Sequence, residues 1–177
     1  MRKILLIMGI LLLGVVMLYQ LRTFIPGPAV SESETLPVEW RDTSPLAQEL
    51  YRHRNPYVGN AGKNGQITRQ LGISESVGAF HMELETEARP YVLRLVLDQA
   101  PEDQDELNLK MNHFSMLLFA LIDNVDEIHW VYPLEMQNGE ERISLPYRRE
   151  LLYMMLELEP ESFELTPVVL DRLLDIG

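Results

Sequence analysis

An uninterrupted apolar segment close to the N-terminus constrains this 177-residue chain more than any other sequence feature. Residues 4–21 carry no charged side chain, and as a helix they would span about 27 Å, close to the thickness of a bilayer core. Because Arg2 and Lys3 precede the segment, its N-terminal end is expected to stay in the cytoplasm. We therefore predict a signal-anchor transmembrane helix over residues 1–22, with everything after it exported.

Two alternatives to a retained anchor stay open. A cleaved signal peptide has a shorter apolar region and a small-x-small cleavage site, which Gly27-Pro28-Ala29 fits only loosely. A buried helix of a soluble protein is the other alternative. Residues 23–42 contain three prolines and no apolar periodicity, so we predict a flexible tether, with Trp40 packed on the following domain. Residues 43–177 are then the extracytoplasmic domain.

The charge of the exported part excludes several classes of partner and site. Residues 23–177 contain 12 basic and 27 acidic side chains, a net charge of −15. Such a surface repels phosphates, so nucleic acid is not an expected partner, and docking of the domain on an anionic membrane is disfavoured. The chain has no cysteine, which excludes disulfides, thiol nucleophiles and cysteine-ligated metal centres.

Apolar periodicity in residues 43–177 predicts an α+β fold, with a mostly antiparallel sheet of about four strands packed on one long central helix. Leu107, Met111, Phe114, Leu118 and Leu121 lie on one face of that central helix. The predicted strands are residues 80–85, 91–97, 128–132 and 142–145. The predicted helices begin at Ser44-Pro45, near Gln66, after Pro101, at Pro146 and at Thr166-Pro167.

A loop rich in glycine and asparagine spans residues 55–65 and is the first candidate site. These residue types tolerate positive φ, which predicts a structured turn. Within it, Tyr57, Gly59, Asn60 and Lys63 form a candidate binding loop for a protein or a glycan. A phosphate-binding loop is disfavoured because Tyr57 stands where that motif needs glycine, and because a helix rather than a strand precedes it.

Acidic residues after the central helix form the second candidate site. Asp123, Asp126 and Glu127 offer the oxygen ligands that calcium prefers, but the segment lacks the glycine and the spacing of a calcium loop. We interpret it instead as a helix-terminal turn with Asn124 in the left-handed conformation.

The histidines carry no spacing typical of a metal site. His81 and His129 are expected on different strands, where a zinc site between facing histidines is the alternative to ordinary surface positions. We predict no metal, no cofactor and no catalytic residue.

Several stretches together carry a family resemblance. They are Leu50-Tyr51, Tyr57-Val58-Gly59-Asn60, Met82-Glu83-Leu84-Glu85-Thr86, Pro90-Tyr91, Leu118-Phe119-Ala120-Leu121-Ile122-Asp123-Asn124-Val125-Asp126-Glu127 and, more weakly, Tyr147-Arg148-Arg149-Glu150. In this order they resemble an uncharacterised exported domain of Gram-positive bacteria, the domain of unknown function numbered forty-eight twenty-five. The resemblance implies a domain found on single-pass membrane proteins and on some BlaR1-type sensor peptidases, and it implies no activity.

Three hypotheses about function follow from these observations. The first is a membrane-anchored α+β module that binds another envelope protein or an extracellular ligand without catalysis. The second is an acid-based envelope hydrolase that uses residues among Asp123, Asp126, Glu127 and His129. The third is a ligand-sensing domain that signals through a membrane partner.

Overall fold

Four strands and six helices follow one another along residues 40–136 and 139–176, which are the residues that this computed structural model describes. The helices are α1 (Pro45–Arg52), α2 (Ala61–Gln70), α3 (Ile73–Val77), α4 (Gln104–Leu121), α5 (Glu150–Leu156) and α6 (Pro167–Asp175). The strands are β1 (Phe80–Glu85), β2 (Val92–Leu97), β3 (Glu127–Met136) and β4 (Gly139–Arg148), and a 3₁₀ turn (Pro160–Ser162) precedes α6.

The N-terminal predictions fall outside this part of the chain. The predicted signal-anchor helix over residues 1–22 and the predicted tether before Trp40 are not among the described residues, and neither are residues 137 and 138. No helix within residues 40–136 or 139–176 combines the length and the apolar character that crossing a bilayer requires.

The sheet is mixed, with strand order β1-β2-β3-β4. β1 and β2 form an antiparallel hairpin, β3 and β4 are antiparallel over ten residue pairs, and β2 and β3 are parallel. The parallel pair follows from the connection: the chain leaves β2, passes through the 18-residue helix α4 and returns along the same direction into β3. The α+β class is confirmed, and one of the three strand pairings departs from an antiparallel arrangement.

Helix α4 supplies the centre of the core. Asp103 caps its N-terminus by accepting hydrogen bonds from the amides of Asp105 and Glu106. The buried face of the helix belongs to the same apolar cluster as the inward residues of β2 and β3, including Trp130. The Trp130 indole donates a 2.8 Å hydrogen bond to the Ser115 hydroxyl, so the two buried polar groups satisfy each other.

The start of the domain matches the sequence prediction closely. Ser44 caps α1 and Pro45 occupies its first turn, as the hydroxyl–proline pattern indicated. Trp40 packs edge-on against Tyr51 with ring centroids 5.0 Å apart, which confirms its predicted packing on the domain. Asp171 of α6 accepts a hydrogen bond from the Ser44 amide, linking the first and last helices.

Two predicted helix starts are wrong. Pro146 lies inside β4, opposite His129, and the following helix begins only at Glu150. β4 is an edge strand among the described residues, and a proline without an N–H is tolerated there because no further strand needs that donor. Helix α2 begins at Ala61 rather than near Gln66, since the Asn60 side chain caps it within the glycine-rich stretch.

Candidate functional site

The loop between α1 and α2 is held from inside by the buried side chain of Asn55. The Asn55 amide nitrogen donates to the Tyr57 carbonyl at 2.8 Å and to Asn64 Oδ1 at 2.7 Å, and Asn55 Oδ1 accepts from the Tyr57 amide at 3.2 Å. The Asn55 backbone also pairs with the segment after α4, donating to Leu121 and accepting from Asp123. Both the side chain and the backbone of Asn55 therefore fix the start of the loop.

Two further asparagines hold Val58, which is buried. Asn64, fully buried on α2, donates to the Val58 carbonyl at 2.5 Å. Asn124 accepts from the Val58 amide at 2.6 Å. Asn55, Asn64 and Asn124 thus hold residues 55–60, which we call the braced loop, by side-chain hydrogen bonds from three separate segments of the chain.

The braced loop and the first turn of α2 contain the four predicted loop residues, and all four are exposed. The Tyr57 side chain is 68% exposed, although the backbone on both sides of it is held by hydrogen bonds. Gly59, Asn60 and Lys63 are exposed beside it, and Asn60 Oδ1 accepts from the Lys63 amide to cap α2. All four residues are therefore exposed, and Tyr57 extends from a backbone that hydrogen bonds hold in place.

The physical reason for the turn differs from the one that the sequence indicated. None of residues 55–65 has a positive φ; among the described residues only Glu157, Gly72 and Gly78 do. The asparagines act through their side-chain amides instead of through left-handed backbone. Asn124 also lacks the left-handed conformation predicted for it, and its side-chain Oδ1 accepts a hydrogen bond from the Val58 amide.

The three predicted acidic residues do not converge. Asp126 accepts a hydrogen bond from Arg89 at 2.6 Å and another from the Tyr91 amide at 2.7 Å, so it holds the β1–β2 hairpin. Glu127 lies on the sheet, with its carboxylate 2.8 Å from His129 Nε2, whereas Asp123 is exposed at the end of α4. Within residues 40–136 and 139–176, no three or more histidine and acidic side chains form a group able to hold a metal ion.

His81 and His129 also lie apart from each other. His81 on β1 pairs with β2, and His129 on β3 pairs with Arg94 of the same intervening strand, so the two histidines do not face each other. His81 lies near Glu83 and Asp98 instead, at 3.5 and 3.9 Å. The facing-histidine alternative is therefore wrong, because β2 separates the two strands.

Burial shifts two pKa values in the described residues. The His113 ring on α4 is partly desolvated, which lowers its pKa and leaves it neutral at pH 7. Burial also raises the pKa of Tyr147, and the neighbouring Tyr132 adds to the rise. Neither group lies in the braced loop or beside the three acidic residues, so these shifts do not mark a catalytic centre there.

Arg149 is the residue with the largest structural role that the sequence reasoning missed. Its guanidinium donates to the carbonyls of Phe119, Ile122 and Val125, the unpaired acceptors at and beyond the end of α4. The same group lies over the Phe119 ring. The sequence around Arg149 does not indicate this role, because the carbonyls that it binds belong to a segment about 25 residues earlier.

A family comparison covers the part of the chain that contains the braced loop. Residues 50–147, more than half of the chain, match the family described as Domain of unknown function (DUF4825). The chain belongs to the DUF4825 family. No curated protein and no solved structure matches it.

The DUF4825 segment runs from the end of α1 to the end of β4. It therefore contains all of the sheet except Arg148, the central helix and every side chain that holds the braced loop. Helices α5 and α6 follow after it.

Proposed function

We propose that this chain is a membrane-anchored, extracytoplasmic member of the DUF4825 family that binds another envelope protein or an extracellular ligand without catalysis. The anchor is supported by the apolar residues 4–21 and by the basic residues before them. The binding role is supported by the braced loop, in which a mostly exposed tyrosine is presented from a fixed backbone.

The exposed Tyr57 ring on a held backbone is the observation that carries this proposal. Tyrosines are enriched among the residues that dominate binding energy at interfaces, since they add large contact area and one polar group. A backbone already held by hydrogen bonds loses little conformational entropy when a partner binds. A free surface turn would not require three asparagines, two of them fully buried, to support it.

The acidic character of the domain limits the classes of partner that it is expected to bind. With a net charge of −15 in residues 23–177, the module disfavours nucleic acid and other polyanions and favours neutral or basic surfaces. The partner is therefore expected among proteins or uncharged glycans of the envelope.

Site-specific photo-crosslinking in the full chain tests the proposal. A photoreactive phenylalanine derivative replaces Tyr57 in one variant and Met154, which is 74% exposed on α5, in the control variant. We expect one discrete adduct from position 57 and none of that size from position 154. With the captured partner purified, Tyr57→Ala is expected to weaken its binding by about 2 kcal/mol, roughly thirtyfold.

Two results would contradict the proposal. Adducts of equal yield and pattern at both positions would indicate random collisions rather than recognition by the braced loop. Turnover of cell-wall fragments by the full chain, abolished by Glu127→Gln, would favour the hydrolase hypothesis, because Glu127 is the acidic residue already paired with a histidine.

A further inference from the structure

A polar pocket of about 440 Å³ is lined by residues of α1, of the end of α4 and of the chain that follows β4. Two basic and two acidic side chains are part of its lining, and they are Arg54, Arg149, Asp123 and Glu164. These four residues come from four separate segments of the chain. The tertiary fold therefore brings opposite charges to one pocket.

The charged side chains of this pocket do not neutralise one another. In the part of the chain that the structure describes, the arginines that pair with carboxylates are Arg52, Arg89, Arg94 and Arg148. The two arginines of the pocket are not among them, and in that same part neither carboxylate of the pocket forms an ion pair. Both signs of charge are therefore available to a ligand.

Both guanidinium groups of the pocket are held in place. Arg149 donates to three backbone carbonyls at and beyond the end of α4, which uses three of the five N–H groups of a guanidinium and leaves two for a ligand. Arg54 lies 4.7 Å from the centre of the Tyr51 ring and donates to its hydroxyl at 2.9 Å. The rings of Tyr153 and Phe163 pack edge to face, 5.9 Å apart, in the same lining. The pocket thus combines positioned cationic donors with aromatic rings.

The charges in the lining define the chemistry of that ligand. A guanidinium binds a carboxylate through two parallel hydrogen bonds, and a carboxylate side chain accepts hydrogen bonds from an ammonium group. A ligand with only one of these groups would leave the opposite pair of side chains without a partner. Because residues 23–177 have a net charge of −15, an anion is also repelled at long range, whereas a zwitterion has no net charge. The pocket volume lies in the range of about 300–1,000 Å³ that is typical of small-molecule sites.

We propose that this pocket binds a zwitterionic small molecule, namely a free α-amino acid or a short peptide. Its carboxylate pairs with Arg54 and Arg149, its ammonium group pairs with Asp123 and Glu164, and its side chain packs on the aromatic rings. The inference goes beyond the proposed function, because it requires neither the membrane anchor nor Tyr57, which is not part of the pocket lining.

Two sets of three probes test the pocket directly. One set contains phenylalanine and the other contains the dipeptide alanyl-phenylalanine, each with its N-acetyl form, which lacks the ammonium charge, and its C-terminal amide, which lacks the carboxylate. The full chain is kept in a non-ionic detergent, and binding is measured by ligand-detected NMR titration with protein-free micelles as the blank. In at least one set, we expect the zwitterion to bind about tenfold or more tightly than both blocked forms. The set that shows this preference identifies the length of the ligand.

Replacement of one arginine tests where the ligand carboxylate binds. Arg54→Gln is expected to weaken binding of the zwitterion about tenfold and to leave binding of the amide unchanged, since the amide has no carboxylate. Arg54 is the residue to change because Arg149 also holds the end of α4. Arg52→Gln removes the same charge outside the pocket lining and is expected to keep binding of the zwitterion within about twofold.

Replacement of the two acidic side chains tests where the ammonium group binds. The double variant Asp123→Asn/Glu164→Gln is expected to weaken binding of the zwitterion about tenfold and to leave binding of the N-acetyl form unchanged. Glu159→Gln/Glu161→Gln removes the same charge from exposed residues outside the lining and is expected to keep binding within about twofold. Circular dichroism melting checks that each variant is folded, and all of the substituted side chains are exposed.

Three outcomes would overturn the proposal. They are no binding of either zwitterion, no preference for a zwitterion over its blocked forms, and unchanged binding by either of the two pocket variants. The last would mean that the probe binds elsewhere on the surface. Tyr57→Ala is expected to bind the probes normally, so failure of this proposal and failure of the proposed function give different results.

Discussion

Asparagine stabilises a turn through its backbone or through its side-chain amide, and a sequence does not show which of the two applies. The braced loop depends on the side-chain amides. The asparagine backbone tolerates positive φ, and its side-chain amide both donates and accepts hydrogen bonds. The density of asparagine and glycine in residues 55–65 predicted an ordered turn, which the structure shows around Tyr57, whereas Lys63 lies in the first turn of α2. The contacts themselves were not predictable, since the Asn124 that holds Val58 is 66 residues away.

Removal of one bracing amide is expected to destabilise the domain. Asn64→Ala leaves the Val58 carbonyl and the Asn55 amide without their buried partner, at a cost of about 1–3 kcal/mol in the free energy of unfolding. Urea denaturation measures this change in the free energy of unfolding. Asn112→Ala, exposed on α4, is the control, with an expected change within about 0.5 kcal/mol. Equal midpoints for the two variants would mean that the amides do not hold the loop.

Among the elements, the central helix and the first hairpin were the most predictable. Both have a strong local signal: one apolar face over α4, and alternation in β1 followed by a short connection to β2. The end of α4 was not predictable in the same way. Its carbonyls accept hydrogen bonds from Arg149, which follows β3 and β4 in the sequence, so no local pattern near Leu121 indicates where the helix ends.

Arg149 and its neighbour Arg148 provide a matched pair for testing this helix end. Arg149→Met removes the donors to three carbonyls and is expected to lower the free energy of unfolding by roughly 2–3 kcal/mol. The side chain of Arg148 is 75% exposed and reaches only Glu127, so Arg148→Met is expected to change stability by less than about 1 kcal/mol. Thermal melting of both variants measures the difference, and similar melting temperatures would argue against this role for Arg149.

At the scale of the whole molecule, the sequence predicted the class of fold and a mostly antiparallel sheet, and it left the strand order undecided. Hydrophobic periodicity reports which face of a strand is buried and says nothing about its neighbours. Here β2 and β3 are separated by α4, and a strand–helix–strand connection favours parallel pairing. Pro146 was predicted to start a helix and instead lies in an edge strand. The sequence could not show this, because a strand accepts proline only where β4 lies at the edge of the sheet.

The proposed membrane anchor is tested on the whole chain. If residues 4–21 form an anchor, alkaline carbonate is expected to leave the full chain in the membrane pellet. The double variant Leu11→Arg/Leu12→Arg adds about 5–7 kcal/mol to the cost of insertion and is expected to move the protein to the soluble fraction. Immunoblots of both fractions give the result. Release of the unchanged chain by carbonate would contradict the anchor.

The position of the family segment along the polypeptide has a consequence for variation of the chain. The DUF4825 segment ends at residue 147, but the chain after β4 supplies buried leucines to the same apolar cluster as the sheet and the central helix. Shortening or exchange at the end of β4 would remove Arg149 together with the buried Leu152, Leu170 and Leu173. The sequence after β4 is therefore constrained by the stability of the whole domain, although it lies outside the matched segment.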